Sequence, residues 1–136
     1  MKILNEGGFY ILGRDRAHRP CFWYNVSVLK TYSPEKYELL QEAVLLLITF
    51  CLTNLLLPGK VENWNCIFDL TGVGLSEIPV RLLQNFMTYT SHLFKSRANR
   101  CYVVNAGWVL RSSWYLFSSM VDEMARSKII MMDHAF

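Results

Sequence analysis

No C-x-x-C pair occurs among the four cysteines, Cys21, Cys51, Cys66 and Cys101, which stand 30, 15 and 35 residues apart. That spacing excludes a zinc ribbon, and because each thiol sits inside an apolar stretch, buried free cysteines in a reducing cytoplasm are the expectation. Charge of one sign is also lacking: fourteen basic against eleven acidic residues leave +3, too weak and dispersed for a nucleic-acid surface. Arg14, Arg16, His18 and Arg19 do cluster, and a solvated turn accounts for them. The start MKILNEGGFY is cut at Asn5, Glu6 and two glycines, so it forms no signal-peptide core. Nor does any apolar run reach the roughly 20 residues that a membrane span requires. The longest uncharged stretch, between Glu42 and Lys60, offers fifteen residues before Pro58. It reads as a buried helix rather than a span. Being apolar on nearly every side, it is expected to be covered on more than one face.

What is present suits one domain of 136 residues, 52% hydrophobic and 14% aromatic, with enough apolar material to fill a core and line a cavity besides. FYILGRD and CFWYNVSV flank a polar turn and predict two strands. Ser33 as cap and Pro34 at the first position predict a helix to Leu57, stopped by Pro58-Gly59. Compact apolar runs at 64–70, 100–106 and 128–133 predict three further strands. Between them, Ile78, Leu82, Leu83, Phe86 and Met87 recur at helical spacing over 76–94, with Ser76 as cap. Trp114, Phe117, Val121 and Met124 do the same over 112–126, capped by Ser112 or Ser113. Strands alternating with helices predict parallel pairing through right-handed crossovers.

Enzyme templates fail on this chain. Asp69 ends a buried strand, where α/β proteins place functional groups, but a D-x-D phosphotransfer motif needs an acid where Thr71 stands. A G-x-S-x-G elbow needs a glycine at Ile78. Gly72-Val73-Gly74 lacks the third glycine of a dinucleotide loop, and no G-K-[ST] follows a glycine-rich stretch. His18, His92 and His134 have no carboxylate or cysteine partner at a recognisable spacing. Asp-Leu-Thr-Gly leaving a strand is therefore read as a turn that bonds itself through carboxylate and hydroxyl. No catalytic residue, metal site or cofactor is expected.

The order GRDRAHRP, CFWYNV, a long helix, IFDLTGVGLS, CYVVNAGWVLRSSW and RSKI resembles the CRAL-TRIO lipid-binding domain, the fold of secretory phosphatidylinositol-transfer proteins. The resemblance runs from Phe9 to Met132. Its most specific parts are I-x-D-[LMT]-x-G, met by Ile67 to Gly72, and Y-[IV]-[IV]-N-x-P-x, met by Tyr102 to Trp108 with Gly107 for proline. The D-x-x-G-R-P turn has His18 for glycine, and Y-P-E-R is reduced to Phe94-Lys95-Ser96-Arg97. The resemblance implies an α/β fold with a mixed, mainly parallel sheet and crossover helices, read as one domain over 1–136 without the N-terminal helical region and the C-terminal gate helix.

It also implies that Trp64, Cys66 and Phe68 face a lipid, that Tyr102, Leu110 and Phe117 match pocket positions, and that Lys128 matches a lysine which, with the glutamate of Y-P-E-R, holds an inositol ring. Ser96 stands where that glutamate would be. The plainer reading is that the first six are ordinary core and that Lys128 is a solvated helix end. The implied function is a lipid-binding or lipid-transfer module, cytoplasmic and peripherally membrane-bound, that takes a hydrophobic ligand or phospholipid and no nucleic acid. The alternative is a protein-interaction or phosphoinositide-sensing domain of a regulatory, small-GTPase-related protein. An esterase-like enzyme is the weakest reading.

Overall fold

The computed structural model describes residues 2–93, 96–119 and 121–132, with the side chains at 87, 91, 93, 116 and 117 outside that description. Five strands form one sheet in chain order. β1 (Phe9–Arg14) and β2 (Pro20–Asn25) make an antiparallel hairpin, and β3 (Trp64–Asp69), β4 (Ala98–Val104) and β5 (Ile129–Met131) add one after another in parallel. This is the mixed, mainly parallel α/β sheet that the sequence predicts. The hairpin turn explains the basic cluster: Asp15 pairs with Arg19 at 3.1 Å, Arg14 bonds the His18 carbonyl, and His18 occupies the left-handed region at φ 62°.

The helices are α1 (Lys2–Asn5), α2 (Val26–Leu29), α3 (Lys36–Asn54), α4 (Val80–Leu93), α5 (Trp108–Ser112), α6 (Trp114–Ser118) and α7 (Glu123–Lys128). Each parallel strand is laid beside its predecessor on the same side, so right-handed crossovers bring the connecting helices to one face of the sheet. The packing agrees. Leu40, Ala43, Val44, Ile48 and Cys51 of α3 and Leu82 and Phe86 of α4 share a core with Phe9, Phe22, Tyr24, Trp64 and Cys66. Leu110 of α5 packs with Phe68, Leu70 and Val103.

The pairing register resolves that front face into two rows. One runs Ile11, Phe22, Cys66, Cys101, Ile129 and the other Phe9, Tyr24, Phe68, Val103, Met131. The back face carries the row between them: Tyr10, Trp23, Ile67, Tyr102 and Ile130. Tyr10 and Ile130 there are more than a third exposed.

Several boundaries differ from the sequence reading, each for a physical reason. Val26 to Leu29 is a helical turn and not strand, with Val26 and Leu29 fully buried, because the chain must leave the sheet for the helical layer and burial overrides β-branched propensity. Ser33 does not cap α3 with its side chain; its carbonyl closes a turn onto Lys36 N, and the helix starts at Lys36 rather than Pro34. At the other end Leu57 bridges Val61 around Pro58-Gly59, with Gly59 at φ 73°. Pro79 splits the expected helix over 76–94. It forces Ile78 into an extended conformation, leaving an isolated turn at Leu75–Glu77, and α4 begins at Val80.

The expected helix over 112–126 is two short ones, α6 and α7, and α5 precedes it as a further helix that the sequence does not predict. Asp122 makes the last break by capping α7, accepting from Ala125 N at 2.8 Å. The fifth strand, expected over 128–133, runs from Ile129 to Met131, since Lys128 still belongs to α7, and Asp133 lies outside the described residues.

α3 is long and apolar enough to cross a membrane. Its inward residues at three- and four-residue spacing are core, whereas Leu39, Leu46 and Phe50 are about half exposed, at 44%, 51% and 50%. The helix is thus covered on one face, not several, because nothing among the described residues lies outside it.

Candidate functional site

Between the front of the sheet and the helices lies a cavity of about 850 Å³. Its floor is the continuation of the two front rows: Tyr24, Cys66, Phe68, Cys101, Val103 and Met131. Leu83 and Phe86 of α4 and Leu110, Trp114 and Met124 of α5 to α7 close it above and to the side. The β2–β3 side of the floor is stiffened by aromatic contacts. Tyr24 stacks on Phe68 with centroids 4.5 Å apart, and Phe22 meets Trp64 edge-on at 5.6 Å.

Of the residues expected at a ligand site, Trp64, Cys66, Phe68, Leu110 and Lys128 all line this cavity. Tyr102 does not. It pairs with Ile67 in the back row, and its neighbours Cys101 and Val103 face the cavity instead. Side chains alternate along a strand, so a floor that holds Cys66 and Phe68 fixes which residues of β4 can join it. A signal was present: Arg100 shares a face with Tyr102, and a charged side chain belongs on the open side. Phe117 falls in α6, and its side chain lies outside the described residues. Ile129 and Met131 of β5 and Met124 of α7 also line the cavity and were not anticipated.

Asp69 shapes a turn. Its Oδ1 accepts from Thr71 N at 3.0 Å, Thr71 Oγ1 at 2.7 Å and Asn105 Nδ2 at 2.9 Å, which ties the exits of β3 and β4 together. Burial alone would raise its pKa, but the bonds from Asn105 and Thr71 prevail and hold it below the usual value. Gly72 supplies φ 67° for the turn and Asn105 itself adopts φ 57°. None of the three polar side chains lines the cavity. Among the described residues no three metal-ligating side chains converge. His18 lies in the hairpin turn, His92 borders the cavity, and His134 lies outside the described residues.

The polar lining comes from α4, through Gln84, Asn85, Thr88, Thr90 and His92, from Asp122, and from two residues on the β4–β5 side. Ser96, at φ 65°, and Lys128 both line it, and Lys128 Nζ donates to the Ala98 carbonyl at 2.7 Å. Cys66 and Cys101 are register partners on adjacent parallel strands and both face inward. The neighbouring Cys101 thiol and burial hold Cys66 well above the usual thiol value. Cys101 is lowered, first by the neighbouring Cys66 thiol and then by the Lys128 ammonium, against the effect of burial. The Tyr24 hydroxyl beside them is pushed up, first by burial and then by the two thiols.

A family model described as the CRAL/TRIO domain matches residues 4–135. Among solved structures the chain is similar to one described as the crystal structure of Sfh5, with a TM-score of 0.68 at 18% identity over 93% of this chain and 47% of that one. The chain thus spans about half the length of that protein. No curated protein matches the sequence.

Proposed function

The chain belongs to the CRAL/TRIO domain family, a lipid-binding module, and from that premise we propose that it holds one hydrophobic or phospholipid ligand between sheet and helices and exchanges it at a membrane surface. The observation that carries this reading is the cavity of about 850 Å³, whose floor is aromatic and aliphatic and which falls where the front rows of the sheet run out from under α3. Burial of an acyl chain there contributes about 0.8 kcal/mol per methylene, enough to drive uptake without bond chemistry. The working location is cytoplasmic, with transient peripheral membrane contact. Trp64, Cys66, Phe68 and Leu110 are assigned to the apolar wall and Lys128 to the polar end.

The head-group preference follows from that polar end. Lys128 is present, but Ser96 replaces a carboxylate that could accept from ring hydroxyls, and losing a hydrogen bond to a charged group costs roughly one to two decades in affinity. A neutral hydrophobe or a phosphatidylcholine-like lipid is therefore preferred over phosphatidylinositol. The test is native mass spectrometry of the chain purified from cells, followed by loading with mixed labelled lipids. A co-purifying lipid mass is expected, and selective uptake of phosphatidylinositol abolished by Lys128→Ala would overturn the head-group reading.

A second reading, an interaction module, draws on the exposed ridge Leu39, Leu46 and Phe50 of α3. It predicts a stable protein with no bound lipid mass.

A further inference from the structure

Two thiols facing one another inside an apolar cavity are more than a lining. Cys66 and Cys101 sit at the same level of β3 and β4, with Lys128 beside Cys101 and the Tyr24 hydroxyl beside Cys66. We propose that Cys101 is a covalent attachment site for hydrophobic molecules carrying a conjugated electrophilic double bond, the class of long-chain α,β-unsaturated aldehydes, with Cys66 and Lys128 as its positioning residues. The inference rests on the ligand-cavity reading above.

Three observations converge on Cys101. It is half-buried, so a reactive carbon can reach it, whereas Cys66 is 7% exposed and Cys51 is fully buried. Cys66 is the more deeply buried of the two register partners and is raised, whereas the Lys128 ammonium lies near Cys101, which is lowered, so Cys101 is the favoured thiolate of the pair. The cavity gathers apolar chains at the same place, which raises the local concentration of an electrophile that is itself a lipid. In the reaction the Cys101 sulfur adds to the β-carbon and the carbon–carbon π bond breaks. Its electron pair passes to the α-carbon, and water returns there the proton that the thiol had released. A thioether forms, nothing is oxidised and no group leaves. Cys21 is the internal reference, because it is half-buried but outside the cavity, and burial and Asp15 raise its pKa.

The experiment exposes the reduced, desalted full chain to trans-2-nonenal or to short crotonaldehyde and maps adducts over time by intact mass and peptide sequencing. With trans-2-nonenal, Cys101 is expected to react at least about tenfold faster than Cys21, and with crotonaldehyde that preference shrinks to the part set by the charge at the two thiols. Lys128→Gln moves the pH profile of Cys101 labelling upward, and Lys128→Arg restores it. Equal labelling of Cys21 and Cys101 by the long aldehyde, no dependence on chain length, or an unmoved pH profile in Lys128→Gln would each overturn the proposal. A parallel arm loads saturated labelled phosphatidylcholine. Uptake of that lipid without Cys101 modification sinks the attachment site alone, whereas uptake of neither sinks the ligand cavity with it.

Discussion

The two ends of the front face are made of similar residues and finish in different states. Over β1 to β3, α3 lays nineteen residues across the strands, and Phe9, Phe22, Leu40 and Val44 are each 1% exposed. Over β4 and β5 the same rows continue as Cys101, Val103, Ile129 and Met131, yet all four are only half-buried: α4 reaches the cavity from one side, and the rest of the cover is helices of five, five and six residues. Helix length decides the outcome. A long helix seats a continuous stripe on the sheet, whereas each short one seats an anchor such as Leu110 and leaves Trp108 80%, Tyr115 70% and Met124 65% exposed. Apolar content that would have been core on one side becomes the wall of a cavity on the other.

The sharpest way to break that contrast is truncation on both sides. Phe22→Ala in the packed part is expected to cost about 3 to 5 kcal/mol, and Val103→Ala in the hollow part under about 1.5 kcal/mol, because its neighbours there are already partly missing. Denaturant titration of the two variants checks this, and equal losses would erase the distinction. Ligand should act in the opposite sense. A bound lipid at about a hundred times its dissociation constant adds about 2.7 kcal/mol, and hydrogen exchange should slow over α4 to α7 while α3, already closed, stays unchanged.

Smaller effects belong to the turns. Asn105→Ala removes two bonds of 2.9 Å and places alanine at φ 57°, for an expected loss of about 1 to 2 kcal/mol that Asn105→Gly partly recovers. Because the folded pKa of Asp69 lies below its ordinary 3.8, its contribution is complete above that value and is lost as pH falls through the folded one. Melting midpoints on acidification should therefore drop less steeply in Asn105→Ala than in the parent. The smallest expected change is His18→Gly, which relieves φ 62° in the hairpin and raises stability by at most about 1 kcal/mol.

How much of this the chain discloses before folding depends on the kind of interaction. The strands are legible because their apolar runs are compact, and the Asp69 turn is legible because Asp-Leu-Thr-Gly satisfies itself locally. Trp64, Cys66 and Phe68 share a face by alternation alone, whereas placing Tyr102 needed the register between two strands. α6 and α7 merge into one expected helix over 112–126 because Trp114, Phe117, Val121 and Met124 keep a helical period across the break, whereas α5 has no such repeat and is absent from the sequence reading. The bare outer face of α3 is illegible for the opposite reason: a helix apolar on all sides carries no periodic signal to say which side is covered. The cavity itself depends on the gap between two layers, which no local pattern encodes.

Val103→Trp tests most directly whether the hollow half is a ligand site or merely a loosely packed core. The substitution puts a large ring into the middle of the cavity floor, between Phe68 and Met131. Uptake of labelled phosphatidylcholine from vesicles is expected to fall by about tenfold or more, equivalent to about 1.4 kcal/mol, while the melting midpoint of the lipid-free protein holds or rises. Unchanged uptake, or a stability loss of the 1 to 3 kcal/mol order typical of overpacking, would contradict the account.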